Sequence, residues 1–176
     1  METQREVLNT AGIEAILDRM SADILKHRMT TDHLALVGLH TRGVHLAKRL
    51  QNVLLDKTGC LIPSGDIDIT LYRDDWTQIG HSPVVKATDI PFSVDGKEIV
   101  LVDDVLFTGR TIRAAMDALM DFGRPARIEL AVLVDRGHRE LPIQGNFTGI
   151  LIDTDRTETV NVLLMESDGE DRVVIE

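Results

Sequence analysis

The segment with the clearest chemical content is Ile99-Val-Leu-Val-Asp-Asp-Val-Leu-Phe-Thr-Gly-Arg-Thr111. Four apolar residues run into Asp103 and Asp104, and a small-residue turn and a helix start follow. Paired acids at the end of such a strand can accept from sugar hydroxyls or hold the water shell of a metal ion. The turn Thr108-Gly109-Arg110-Thr111 adds hydroxyls, backbone N–H groups and a helix N-terminus, which are the components of a phosphate cradle. A lone acid before a helix more often caps it. Two adjacent acids set back from the helix by a turn with glycine and hydroxyls favour a ligand site instead.

These residues need elements to position them. Ile13, Ile16, Leu17, Met20, Ile24 and Leu25 recur at helical spacing, which predicts an amphipathic helix over residues 12–27. The apolar run Leu34 to Leu39 has strand length and ends in His40-Thr41-Arg42-Gly43. Val44, Leu46, Ala47, Leu50 and Leu54 then mark a second helix. Alternation over Asp66 to Tyr72 predicts a strand with one wet face. Pattern is lost from Arg73 to about Ser93, a length that in compact domains suggests a functional lid. It returns with a strand at Ile99 to Val102, a helix from Thr111 to about Phe122 and a strand from Ile128 to Val134. Strands that are apolar throughout, alternating with helices, predict a parallel sheet covered on both faces. Shorter runs at Phe147 to Ile152, Val160 to Met165 and Val173 to Ile175 predict a small β-rich C-terminal layer. The fold class expected is therefore α/β.

The 176 residues (19.6 kDa) suit one core, and 43% hydrophobic with 27% charged residues is the usage of a globular protein. Nineteen basic against 29 acidic side chains give a net charge of -10. That argues against indiscriminate nucleic-acid coating, which rests on phosphate neutralisation by Lys and Arg. The single cysteine, Cys60, excludes an internal disulfide framework and fits a reducing compartment. His27, His33, His45, His81 and His138 show no metal-ligand spacing with one another. No stretch approaches the roughly 20 apolar residues of a membrane helix. Met1 to Thr10 is polar rather than a secretory signal, so a cytoplasmic location is expected.

The thirteen residues of the acid segment resemble the phosphoribosyl-pyrophosphate (PRPP) signature of the type I phosphoribosyltransferases. Three further segments resemble the PyrR family of pyrimidine operon attenuation regulators. They are Val37-Gly-Leu-His-Thr-Arg-Gly-Val-His-Leu-Ala-Lys-Arg-Leu50, Gly65-Asp-Ile-Asp-Ile-Thr-Leu-Tyr-Arg-Asp-Asp75 and Val134-Asp-Arg-Gly-His-Arg-Glu-Leu-Pro-Ile143. The resemblance runs from about Gly12 through Ile143. It implies a single phosphoribosyltransferase domain over 1–176, with a hood loop at about 73–93 and an appendage at about 143–176.

The activity implied is uracil phosphoribosyltransferase, converting uracil and PRPP to UMP and pyrophosphate. By the resemblance, Asp103 and Asp104 hold the ribose hydroxyls. Val105, Leu106, Phe107, Thr108, Gly109, Arg110 and Thr111 complete the PRPP loop. Thr41 and Arg42 match the pyrophosphate loop; a cation at a helix N-terminus opposes the dipole and calls for an anion. Arg136 and the backbone of Val160 match the nucleobase site, and Arg73 and Lys86 belong to the hood. Magnesium is implied, carried by PRPP and water rather than held directly by the protein. The implied partners are PRPP, uracil, UMP and a leader mRNA of a pyrimidine operon, with assembly into dimers or tetramers and no membrane.

Two alternatives stay open on the sequence: a purine phosphoribosyltransferase, since the PRPP motif is shared across bases, and an RNA regulator with vestigial catalysis. The basic residues available for RNA are Arg124, Arg127, Arg136, His138 and Arg139. Glu14, Asp18 and Asp23 on the first helix, and eight acids against two bases in residues 153–176, weigh against phosphate contact there.

Overall fold

The computed structural model describes residues 4–74 and 87–176. Its centre is a five-stranded, wholly parallel sheet of order β3-β2-β4-β5-β6. The strands are β2 (Leu34–Leu39), β3 (Ser64–Ile67), β4 (Glu98–Leu106), β5 (Arg127–Asp135) and β6 (Phe147–Leu151). Helices α1 (Thr10–Lys26), α2 (Arg42–Thr58) and α3 (Arg110–Met120) cover it.

The apolar strands feed two cores, one on each face. Leu34, Leu36, Val100, Val102, Ala131 and Leu133 pack with α1 and α2, while Ala35, Val37, Leu39, Ile99, Leu101, Leu130 and Val132 pack with α3. Successive side chains point to opposite faces of a strand, so covering both faces requires every position to be apolar. That is the physical origin of the uninterrupted runs in the sequence.

Several boundaries differ from the expectation. The strand expected at Asp66 to Tyr72 begins at Ser64 and stops at Ile67. Asp68 Oδ1 there accepts from Thr70 N (2.9 Å) and Thr70 Oγ1 (2.6 Å), bending the chain into a 3-10 turn over Thr70–Tyr72. Strand β4 continues past Val102 to Leu106, because β5 pairs with it as far as Leu106 opposite Asp135. Of the C-terminal runs, Phe147–Leu151 joins the central sheet beside β5. The β-rich appendage is instead an antiparallel sheet of order β1-β8-β7, from β1 (Arg5–Asn9), β7 (Val160–Leu163) and β8 (Arg172–Ile175). The polar N-terminal segment forms a strand because its partner lies at the far end of the chain, and Val7 and Leu8 pack against the core. Asn9 then caps α1 by accepting from Gly12 N at 3.0 Å.

Going out from the β2/β4 pair, β3 lies to one side and β5 and β6 to the other. Strand order therefore reverses between β2 and β4, and the crevice beyond their carboxyl ends is where open α/β sheets bind ligands. Close helix packing sets the width of this crevice. A Cβ on Gly43 would lie 2.3 Å from the Val102 carbonyl oxygen and 3.2 Å from Asp103 Cα, so only glycine lets α2 start against β4. Gly43→Ala should cost about 3 kcal/mol and lower the melting temperature by roughly 6–12 °C. A calorimetric scan checks this, and an unshifted transition would contradict it.

Candidate functional site

The last turns of β4 place two carboxylates at the reversal point. Asp103 is 7% exposed and Asp104 is half-buried. Asp103 Oδ1 accepts from Asp104 N and Asp104 Oδ1 from Val105 N, both at 2.9 Å, which fixes the two side chains on their own backbone. Burial pushes the Asp103 carboxyl well above the usual carboxylate range, and the neighbouring Asp104 charge adds to it. Neither acid caps α3. Gly109, at φ 92°, opens that helix with no side-chain cap, and Thr108 Oγ1 lies 3.3 Å from Arg110 N.

The turn from Phe107 to Gly109 is held from outside by the segment after β5. Glu140 N and Leu141 N both donate to the Thr108 carbonyl, at 2.9 and 3.2 Å. Arg139 donates to the Phe107 carbonyl (2.8 Å), to the Ile143 carbonyl (2.8 Å) and to the Asp135 carboxylate. A cleft of about 330 Å³ opens over the turn, lined by Val105 to Ile112 together with Arg73 and Glu140. Arg110 pairs with Asp74 (2.5 Å) and Glu140 (3.1 Å), and Glu140 also with Arg156 (2.7 Å). Those two arginines hold the Glu140 carboxyl below its usual range.

Thr41 and Arg42 sit at the start of α2, beside Asp103 across the β2–β4 pair. The Arg42 guanidinium is held by Asp168 at 2.9 and 3.3 Å, a partner no local pattern announces. On the other flank, Arg136 follows β5 and its N–H extends the ladder to Leu106 O (3.1 Å). Its guanidinium lies 4.1 Å over the Phe107 ring and donates to the carbonyls of Asp155 and Glu158, each at 2.9 Å. Its Nε is buried without a partner among the described residues, and burial lowers the pKa of the group. The same Asp155–Glu158 segment leads into β7 at Val160, which packs on the core cluster that Val105 also touches. Lys86 and residues 75–85 of the expected hood lie outside the described residues.

The chain thus brings Thr41, Arg42, Asp103, Asp104, the 105–111 turn, Arg136 and the approach to Val160 to one end of the sheet. The basic residues considered for RNA do not gather. Arg124 and Arg127 lie at the start of β5 and Arg136 to Arg139 at its far end, roughly 30 Å apart along nine residues of strand. Arg127 is also paired with Glu98 and Glu129. Glu14 and Asp18 are exposed on α1, with Asp18 bound to Lys57 at 2.8 Å. Among the described residues no cluster of three or more His, Cys, Asp or Glu could hold a metal, and no helix is long and apolar enough to cross a membrane.

The buried acid has a consequence for stability. A carboxyl raised above its unfolded value costs stability as pH rises through the ordinary carboxylate range, because the native state resists ionisation. Asp103→Asn should therefore melt higher than the parent at pH 8, with the gap closing toward pH 4. Thermal scans across that range check it, and a gap that widened on acidification would contradict the burial argument.

The sequence profile of the phosphoribosyl transferase domain matches residues 3–164. The protein from Desulfosudis oleivorans named Bifunctional protein PyrR is 58% identical over 176 residues, which cover 99% of this chain and 97% of that one. The proteins of the same name from Syntrophobacter fumaroxidans and Thermus thermophilus are 56% and 54% identical, each over 98% of this chain and over 92% and 96% of theirs. A hypoxanthine-guanine phosphoribosyltransferase of Bacillus anthracis superposes with a TM-score of 0.74 at 14% identity, over 97% of this chain and 96% of that one. Hypoxanthine phosphoribosyltransferase from Trypanosoma cruzi, solved with IMP, gives 0.74 at 16% identity over 99% and 95%. At such identities those two structures speak to the fold alone. The relatives extend along nearly the whole chain, and with the fold and the domain match they show that it belongs to the phosphoribosyl transferase domain family and, within it, to the PyrR family.

Proposed function

We propose that the chain is a uracil phosphoribosyltransferase that also regulates a pyrimidine operon by UMP-dependent binding of leader mRNA. The observation that carries the enzymatic half is the joint placement of Asp103 and Asp104 with the uncapped α3 N-terminus at one crevice. The carboxyls accept from the ribose 2′- and 3′-hydroxyls, where their charge would repel a phosphate. Backbone N–H groups between Phe107 and Thr111, with the Thr108 and Thr111 hydroxyls, take the 5′-phosphate. Thr41 and Arg42 meet the diphosphate. Magnesium arriving with PRPP would neutralise part of the diphosphate charge. Two adjacent carboxyls, with no third ligand among the described residues, suit its water shell better than direct coordination.

In the reaction the N1–C1 bond to uracil forms, the C1–oxygen bond to diphosphate breaks, and the N1 proton is lost. Positive charge builds on the sugar as the bond breaks, as in glycoside cleavage. The protein's contribution is positioning and charge stabilisation rather than a nucleophile. Arg136, stacked on Phe107, and the backbone at Val160 border the base. Arg73 lines the cleft, and with Lys86 it would belong to the hood that the resemblance implies, whose closure would exclude water from PRPP. The uracil reading is favoured over a purine one by the resemblance of the Asp-Arg-Gly-His-Arg-Glu-Leu-Pro segment to the PyrR family and by the PyrR relatives. The protein acts in the cytoplasm as a homo-oligomer.

An isotope assay with uracil, PRPP and magnesium should yield UMP, with hypoxanthine a poor competitor, and Asp103→Asn with Asp104→Asn should cut kcat/KM for PRPP at least about a hundredfold. Filter binding of the chain's own operon leader RNA should tighten when UMP is added. No turnover sinks the enzyme, and UMP-independent RNA binding or none sinks the regulator.

A further inference from the structure

The grip on Arg42 comes from a residue 126 positions away in the chain. Nη2 donates to Asp168 Oδ1 at 2.9 Å and Nε to Oδ2 at 3.3 Å. This is a side-on pairing, using one edge of the guanidinium. Among the described residues Nη1 donates to no group, so the Nη1/Nη2 end keeps its own fork of N–H donors. Asp168 is itself fixed. It ends the short helix α4 (Met165–Asp168), and its Oδ2 accepts from Leu164 N at 2.8 Å. The Leu164 N–H, and then Arg42, hold the Asp168 carboxyl below its usual range, so it stays an anion.

The segment bearing Asp168 docks on α2 without needing Arg42. Ser167 Oγ meets His45 Nε2 at 2.8 Å. Arg49 binds Glu166 (2.6 and 2.8 Å) and Asp171 (2.7 and 3.0 Å). Asp168 is thus an anion on a braced support. It meets a cation at the start of α2 that is 35% exposed.

We propose that Asp168 is a positioning residue for the diphosphate: it clamps the Nε edge of Arg42 so that the Nη1/Nη2 fork faces the leaving group. The proposal rests on the placement of the diphosphate at Arg42 argued above. An unclamped arginine must give up rotamer freedom on meeting its anion, whereas a clamped one has already done so.

Steady-state kinetics on the full-length protein test this with Asp168→Asn, Asp168→Glu, Arg42→Ala and the Arg42→Ala/Asp168→Asn double variant. Asparagine keeps an acceptor for Leu164 N but loses the charge and the second acceptor for Arg42. Asp168→Asn should raise KM for PRPP about tenfold with kcat changed less than about twofold and KM for uracil unmoved. Asp168→Glu, which keeps the charge, should recover most of the loss. The double variant should match Arg42→Ala alone, because the clamp has nothing left to hold.

A PRPP KM that is unchanged or lowered in Asp168→Asn, beside a damaging Arg42→Ala, overturns the proposal and leaves the site intact. An equal further loss in the Arg42→Ala background overturns it too, since it shows a general structural effect. Should Asp168→Asn melt well below the parent, the comparison of Asp168→Glu with the parent carries the test, and a full tenfold loss there overturns it. An unaffected PRPP KM in Arg42→Ala overturns instead the placement of the diphosphate on which the proposal rests.

Discussion

The reversal of strand order between β2 and β4 is the constraint on which the site depends. Parallel strands bury both faces and offer ligands only their carboxyl ends, and only at the reversal do neighbouring connections leave in opposite directions. The residues next to that gap are Thr41 and Arg42 after β2 and Asp103 and Asp104 on β4. Gly43 and Gly109 serve the same geometry, the first by letting α2 touch β4 and the second by turning the chain into α3. The desolvation of Asp103 follows from its place in a strand paired on to Leu106 and is the cost of having a carboxyl there.

Charge is the second organising theme. The net -10 conceals an arrangement in which the site's arginines are engaged before any anion arrives: Arg42 with Asp168, Arg110 with Asp74 and Glu140, Arg136 with two carbonyls and an aromatic face. The acidic C-terminal stretch, which in the sequence alone speaks against RNA contact, has Glu166, Asp168 and Asp171 turned to α2 and matched by Arg42 and Arg49. Three of its eight acids are thus paired with arginines of α2. Glu14 and Asp18 of α1 do face outward, and the sequence's reservation about RNA contact on that helix retains its basis.

What was legible in the sequence was what local periodicity and a contiguous motif encode. The two-sided burial of β2, β4 and β5 forces apolar runs, and the acid pair and glycine turn lie within one stretch of thirteen residues. What was not legible depends on distant partners. Strand β1 reads as polar until β8 is beside it, and β6 looks like part of the appendage until β5 is seen to pair with it. Asp168 has no signature at all. Arg139 stood within a quoted segment as one of the basic residues available for RNA, whereas it donates to three groups around the 107–111 turn.

The most direct test of the central claim is a crystal structure of the protein with PRPP and magnesium. The account predicts the 5′-phosphate against the N–H groups of residues 107–111, the ribose hydroxyls on Asp103 and Asp104, and the diphosphate at Thr41 and Arg42. A 5′-phosphate bound away from the α3 N-terminus, or a ribose turned away from both acids, would contradict it.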